Sequence, residues 1–299
     1  MKALKIIASF TLVVMTVTSS SYAQDRTSYF DSSWLKSLIS IEAESKTDKG
    51  TVYSPLGTGF LVQTPEDHTA LVTAKHVIYD DKTKKIREKL VYRLNRKGKN
   101  SDPVSEAYVS SLVKTDWICS DKYDIAARLM VWKNDNDMAR IPINSILKSD
   151  PDVGANVYVI GFPLGLRSEV YSKPIVRQGI VSLVDDPFLV DAFTFPGNSG
   201  GPVIYVPIIP FGKGVKTNVL QQNILIGLVI ENITHLDVAT SLQTKRTRMI
   251  FEENIGLCKV LQSKTILEFL KSDRFAEADK NSYSGIKPLQ EDNMPVPGN

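Results

Sequence analysis

Short runs rich in Val, Ile, Leu, Tyr and Thr recur along the chain, and turns rich in Gly, Pro, Asp and Lys separate them. Runs of this length and composition are typical of β-strands. The predicted strands are 35–41, 57–62, 70–73, 89–94, 107–113, 156–160, 175–183, 188–195, 203–206, 224–230 and 249–258. Many short strands with few helices indicate an all-β barrel architecture. The periodicity alone leaves one sandwich and two barrels both open.

The strands form two groups, and the segment 137–152 between them is the predicted junction. We therefore expect one domain over 24–150 and a second over 151–275. At the end of the second domain, Ser263 precedes apolar residues spaced three and four apart up to Lys271, which predicts a short C-terminal helix. Residues 276–299 hold few large apolar groups and are an expected disordered tail.

Residues 1–23 have the pattern of a secretory signal peptide. Lys2 and Lys5 precede an apolar run from Ile6 to Val17, and Ala23 ends a Ser-Tyr-Ala sequence with small outer residues. A membrane anchor is the alternative, but the run is shorter than the ~20 residues that span a bilayer. The sequence therefore predicts an exported, periplasmic or secreted protein with no stable membrane insertion.

Composition narrows the function classes. The chain has 299 residues, of which 42% are hydrophobic and 23% charged, and its net charge of +3 falls close to zero once Lys2 and Lys5 are removed. This is typical of a globular protein with a sizeable core. Nine Lys and Arg residues lie in the stretch from Lys82 to Lys99, but such a stretch is more often a solvated loop, so nucleic acid is not an expected partner.

Only two cysteines occur, Cys119 and Cys258, so the fold does not rest on a disulfide framework. In an oxidising compartment the two could pair, or they could be separate structural thiols. Neither lies in a metal-ligand or nucleophile motif, and no cofactor or metal is expected.

The segment Pro196–Pro202, with sequence PGNSGGP, is the first candidate for chemistry. Two glycines after Ser199 allow a sharp turn that presents the hydroxyl beside backbone N–H groups, as a nucleophile and its oxyanion hole require. An ordinary turn is the alternative for this segment alone. The predicted oxyanion loop is Gly197, Asn198 and Ser199, with the N–H groups of Gly197 and Ser199 as donors.

Two upstream motifs supply partners for this serine. His76 lies where the predicted strand 70–73 gives way to a turn, and a histidine that titrates near neutrality can act as general base and acid. Asp124 opens an apolar strand, where a bond to the imidazole would offset the cost of burying its carboxylate. Asp121 is the competing aspartate, but polar residues flank it. The order His76, Asp124, Ser199 predicts a catalytic triad.

With these motifs, the chain resembles the trypsin-like serine proteases of the chymotrypsin fold, and among them the bacterial HtrA/Deg branch. The resemblance also rests on Gly57–Val62, on Val157–Leu166 and on Gln178–Ser182, and no PDZ-like segment follows. It implies two six-stranded antiparallel β-barrels, the first carrying His76 and Asp124 and the second carrying Ser199.

The resemblance also implies how the site is controlled. Digestive zymogens have an aspartate before the serine, where this chain has Asn198, so we expect no zymogen switch of that kind. Phe193, six residues before the serine, is the implied floor of the substrate pocket, with Gly227, Leu228 and Val229 in its wall. An apolar floor favours small or medium aliphatic substrate side chains. Simple core packing is the alternative role for Phe193.

The sequence thus predicts a serine endopeptidase that acts on proteins or peptides. The alternative is a latent or non-catalytic protein that binds peptides on the same fold. A protease switched by a ligand or by assembly is a narrower variant of the first reading. No pattern in the chain predicts a particular oligomeric state.

Overall fold

The protein is described from a computed structural model, which describes residues 30–98, 100–168, 171–206 and 223–281. The predicted signal peptide, most of the tail and residue 99 lie outside these ranges. No helix within them is both long enough and apolar enough to cross a lipid bilayer.

The N-terminal half is a seven-stranded antiparallel sheet, followed along the chain by the segment that leads into the C-terminal half. It comprises β1 (Leu38–Thr47), β2 (Gly50–Gln63), β3 (Thr69–Thr73), β6 (Leu90–Asn95), β7 (Ser101–Ser105), β8 (Ile118–Cys119) and β9 (Ala126–Leu129). The strand order is β7-β6-β1-β2-β3-β9-β8. A small hairpin of β4 (Tyr79–Asp80) and β5 (Lys85–Ile86) stands apart from this sheet.

This sheet corrects the expectation of a six-stranded first barrel. It has seven strands, and its edge strands β7 and β8 are not hydrogen-bonded to each other. The segment between them is the reason, because it forms a helix, α2 (Glu106–Leu112), instead of the strand predicted over 107–113. Ser105 caps the helix by accepting a hydrogen bond from Tyr108 N–H, and Glu106 occupies its first turn. This cap and the spacing of buried Val109 and Val113 outweigh the β-propensity of the apolar residues.

The C-terminal half is a closed six-stranded antiparallel barrel, as expected. Its strands are β10 (Asn156–Gly161), β11 (Ile175–Leu183), β12 (Phe188–Asp191), β13 (Pro202–Tyr205), β14 (Ile224–Thr240) and β15 (Thr247–Gln262). They close in the order β10-β11-β12-β15-β14-β13. Strand β12 ends four residues earlier than predicted. Strand β14 continues ten residues beyond the predicted end, and β15 begins two residues earlier and ends four residues later than predicted.

The predicted C-terminal helix is present as α3 (Ser263–Leu270), and a second helix, α4 (Asp273–Asn281), follows it. Residues 276–281 were expected in the disordered tail, but they form most of α4. Phe275 and Asp279 are fully buried, because Phe275 packs into the main core and Asp279 accepts hydrogen bonds from Thr64 and the backbone of Glu66. These two buried contacts of α4 outweigh its polar composition.

Two hydrophobic cores hold the molecule together. The larger core joins the N-terminal sheet, the outer side of the barrel and both C-terminal helices. The smaller core fills the barrel with Val, Phe, Ala, Ile and Cys258 side chains. The junction segment is part of this packing, since Ile141 is buried and its backbone bonds to β2 through Leu61 and Gln63. Cys119 and Cys258 are both free thiols, so the pairing left open above is not formed.

Candidate active site

The histidine and the aspartate are brought together by one strand pair. Strands β3 and β9 are antiparallel, with Thr73 opposite Ala126, so the residues just after β3 meet those just before β9. After β3 the chain enters a four-residue helix, α1 (Lys75–Ile78), which carries His76. Asp124 lies two residues before β9. The ladder alone therefore places the two side chains next to each other.

The Asp124 carboxylate binds His76 twice. Its Oδ2 lies 2.7 Å from the ring nitrogen Nδ1, and its Oδ1 accepts a 3.0 Å hydrogen bond from the His76 backbone N–H. An ionised carboxylate can only accept, so the Nδ1 proton lies on the histidine and Nε2 is left as the acceptor when the ring is neutral. The Asp124 side chain is 31% exposed, which is less buried than the sequence suggested. Asp121 is exposed and does not bond to His76.

The serine loop is anchored on the same strand ends. Thr58 of β2 donates its backbone N–H to the Ser199 carbonyl at 2.9 Å. Gly200 lies so close to Thr73 Oγ1 and Thr58 O that a side chain there would clash with both, and an added Cβ would be only 2.9 Å from Ala74 N. Ser199 is thus held by backbone contacts against the segment that leads into His76.

The residues before the serine form a tight turn. Asn198 donates its backbone N–H to Phe195 O at 2.9 Å, which closes a turn with Pro196 and Gly197 at its centre. Gly197 has a φ of 100°, as a type II turn requires at that position. The buried Asn198 side chain locks the turn, because its Oδ1 accepts a hydrogen bond from Phe195 N–H at 3.0 Å.

This turn changes the predicted oxyanion loop in one respect. The Asn198 N–H is already bonded to Phe195 O, so it cannot serve as a donor to a substrate. The N–H groups of Gly197 and Ser199 donate to no acceptor among the described residues. These two groups remain the candidate oxyanion donors, on either side of the inward-turned Asn198.

Two contacts that the sequence did not reveal hold the peptide groups on either side of Gly197, and the one to Pro196 O fixes the direction of the Gly197 N–H. Leu164 N–H donates to Pro196 O at 2.6 Å, and the Thr58 hydroxyl donates to Gly197 O at 2.6 Å. In a trans peptide the C=O and N–H point in opposite directions, so the bond to Pro196 O directs the Gly197 N–H away from Leu164. The Pro-Leu-Gly sequence after β10 was the only local signal for this turn, whose Leu164 has a φ of 54°.

The predicted substrate pocket is only partly assembled. Phe193 is 55% exposed and its ring lies about 3.5 Å from where a Cβ of Gly256 would be, so it is not packed in the core. Leu228 and Val229 are buried, one in each hydrophobic core, and Gly227 is enclosed by Val260, Leu261 and Phe188. These three residues therefore do not line an open wall. The reason is that β14 pairs on both sides here, with β13 and β15.

No group of three or more His, Cys, Asp or Glu side chains is arranged to hold a metal ion in the described ranges. The candidate site consists of His76, Asp124, Ser199 and the backbone around them.

Residues 57–205 match the family model of the trypsin-like peptidase domain. This part of the chain is therefore similar to the trypsin-like peptidase domain. The match begins in β2 and ends with β13, so the matched segment includes His76, Asp124 and Ser199 but neither β14 nor β15. A comparison with curated proteins found no match. The family match supports a hydrolase of the serine peptidase type that acts on peptides or proteins.

Proposed function

We propose that this protein is an exported serine endopeptidase whose triad is His76, Asp124 and Ser199. The observation that carries the proposal is the pair of hydrogen bonds that the Asp124 carboxylate accepts from the ring and the backbone of His76. Beside them lies a serine loop with two N–H groups that have no acceptor among the described residues. This arrangement sets the histidine tautomer and offers positive dipoles where an oxyanion would form.

The proposed reaction has two halves. His76 Nε2 takes the proton of Ser199 Oγ as the oxygen attacks the peptide carbonyl, and the negative charge on the carbonyl oxygen is stabilised by the Gly197 and Ser199 N–H groups. The imidazolium then gives its proton to the leaving amine, which leaves an acyl-enzyme ester on Ser199. Water, deprotonated by His76, attacks this ester and releases the acid. Asp124 stabilises the imidazolium in both halves.

The environment of Asn198 supports a site that needs no zymogen cleavage. In this protein the side chain before the serine bonds to the Phe195 backbone, within the loop itself. No new N-terminal amine is required to hold it. This feature and the sequence motifs support the HtrA-type branch. The signal-peptide pattern of residues 1–23 supports export, which N-terminal sequencing of the secreted protein tests.

The exposed Phe193 beside Gly256 supports a preference for small or medium aliphatic substrate side chains. The ring offers an apolar contact and no partner for a buried cation.

The deciding experiment is labelling of the purified protein with a fluorophosphonate probe, located by peptide mass spectrometry. We expect one label on Ser199, and none in the Ser199→Ala and His76→Ala variants. Ser182→Ala is the matched control, because Ser182 is exposed on β11 and should not affect labelling. If the folded wild-type protein is not labelled, the latent or non-catalytic peptide-binding function replaces the proposal.

A further inference from the structure

The longest strand pair of the protein projects beyond the barrel. Strand β14 leaves β13 at Leu228, and β15 leaves β12 at Leu257. From Thr234 opposite Asn254 to Thr240 opposite Thr247, the two strands pair with each other. We call residues 234–254 the ribbon. Its paired part is roughly 20 Å long at about 3.4 Å per residue.

One face of the ribbon is apolar and solvent-exposed. Residues directly opposite each other in an antiparallel pair point to the same face, so Leu236, Val238 and Ile250 share one side with Glu252, the partner of Leu236. They are 58%, 53% and 61% exposed. The opposite face carries Met249 and Phe251, which are 55% and 49% exposed, together with His235, Asp237 and Glu253.

An isolated two-stranded ribbon is marginally stable in water. Exposing three large aliphatic side chains side by side to water has a further free-energy cost. A partner that covers this face would remove the cost. The charges of the ribbon indicate which partner fits.

The charges are separated along the ribbon. Lys245, Arg246 and Arg248 lie at its tip, and Glu252 and Glu253 lie nearer the barrel. None of these five side chains forms an ion pair with another described residue. On the face of Leu236, the Val238–Ile250 pair lies between the basic tip and Glu252. This pattern is complementary to itself when a second ribbon runs in the opposite direction.

We propose that the ribbon is the interface between two copies of this chain. The two-fold axis passes near the Val238–Ile250 pair, so each apolar face covers the other. Each basic tip then lies against Glu252 and Glu253 of the second copy, which is the same contact made twice, as two-fold symmetry requires. A surface of anionic lipid fits less well, although Leu242 at the tip is 87% exposed, because Glu252 lies opposite Leu236 on the same face and would be repelled by such a surface.

The first test is the mass of the protein in solution, measured by sedimentation equilibrium at low ionic strength. We expect a dimer for the wild-type protein and at least a tenfold higher dissociation constant for Val238→Glu and Ile250→Glu. The matched control is Ile180→Glu, because Ile180 is an exposed aliphatic residue on β11, outside the ribbon. Thermal melting verifies that each variant folds.

The second test exchanges the charges. A variant with Lys245→Glu and Arg246→Glu should be monomeric, as should one with Glu252→Lys and Glu253→Lys. Mixed together, the two variants should form a heterodimer, because each then offers the charge that the other lacks. The measurement does not depend on catalysis, so Ser199 labelling reports separately on the proposed function.

Three outcomes would overturn the proposal. One is a wild-type protein that stays monomeric when its concentration in the sedimentation experiment is raised 100-fold. Another is a dimer that survives both apolar substitutions. The third is a monomer that binds vesicles of anionic phospholipid through the ribbon, which would assign the surface to lipid instead.

Discussion

At the residue scale, the Asp124 carboxylate accepts hydrogen bonds from two N–H groups of the same residue, His76. Its Oδ1 holds the backbone of His76 while its Oδ2 holds the ring, so the carboxylate fixes both the position of the histidine and its tautomer. An amide in its place can keep one of these contacts, but it presents an N–H group as well as a carbonyl.

We therefore expect Asp124→Asn to fold normally and to lose about 10³- to 10⁴-fold in kcat/KM, because the amide favours the wrong histidine tautomer. Peptide hydrolysis and the rate of Ser199 labelling measure the effect. Asp121→Asn is the control and should keep wild-type activity, since Asp121 is exposed and apart from His76. Equal losses in the two variants would contradict the assignment of Asp124.

Cys258 predicts a pH dependence of stability. The side chain is fully buried in the barrel, and this burial raises the pKa of its thiol to about 12. In the unfolded chain the thiol ionises near pH 8.5. Between these values the folded state keeps a proton that the unfolded state has lost, so stability is complete below about pH 8.5 and falls as pH rises towards 12.

We expect this group to lower the free energy of unfolding by about 1.4 kcal/mol per pH unit between pH 9 and 11. Urea unfolding at several pH values measures the slope. Cys258→Ala should show a shallower slope by about this amount, whatever its stability at neutral pH. Cys119→Ala should change the slope less, because Cys119 is partly exposed. Identical slopes for wild type and Cys258→Ala would disprove this account.

At the scale of elements, a turn outside the serine loop controls the direction of the Gly197 N–H, a candidate oxyanion donor. The short 3-10 turn Pro163–Gly165 donates the Leu164 N–H to Pro196 O. Just after this turn, Arg167 forms a 2.9 Å ion pair with Glu42, whose carboxylate is fully buried on β1 and also binds Arg93. Gly165 packs against Pro55 of β2. The N-terminal sheet thus anchors the turn that orients the Gly197 N–H.

Arg167→Ala should lower kcat and the rate of Ser199 labelling about tenfold, with little change in KM. We expect this because the substitution would weaken stabilisation of the transition state and not substrate binding. A tenfold lower rate corresponds to an activation free energy that is higher by about 1.4 kcal/mol. Arg167→Lys should restore part of the rate, because it keeps a cation near Glu42. A rise in KM at unchanged kcat would show that Arg167 contributes to substrate binding instead.

At the scale of the whole molecule, the two halves are joined by the last helix of the described chain. Phe275 of α4 is fully buried and stacks at an angle on Phe269 of α3, with ring centroids 6.0 Å apart. Asp279 of the same helix bonds to Thr64 and lies 2.9 Å from His68 Nδ1, both of which belong to the N-terminal half. Helix α4 therefore ties the end of the barrel chain to the first sheet.

Phe275→Ala should destabilise the protein by about 3–5 kcal/mol, the usual cost of deleting a buried aromatic ring. Chemical denaturation measures the change. Glu277→Ala, on the exposed side of α4, is the control and should stay within about 0.5 kcal/mol of wild type. A small effect of Phe275→Ala would mean that α4 contributes little to the joint between the halves.

Local patterns in the sequence were sufficient to predict most strands, the α3 helix and the residues proposed for catalysis. Each of these has a signal within a few neighbours, such as the two glycines after Ser199 or the apolar run after Asp124. The strand predicted over 107–113 was wrong because its cap at Ser105 favours a helix, and the ends of β14 and β15 were missed because polar residues interrupt the apolar alternation.

The sequence by itself determined the residue types of the candidate site, their order along the chain and the β-rich character of the fold. Only the tertiary structure decided that the first sheet stays open and that Leu228 and Val229 are core residues. It also decided that Leu164 bonds to the serine loop and that Arg167 pairs with Glu42 next to the turn that holds Leu164. The physical reason is the range of the interactions. Turns and strand alternation depend on adjacent residues, whereas strand closure, burial and the direction of a backbone N–H depend on partners far away in the chain.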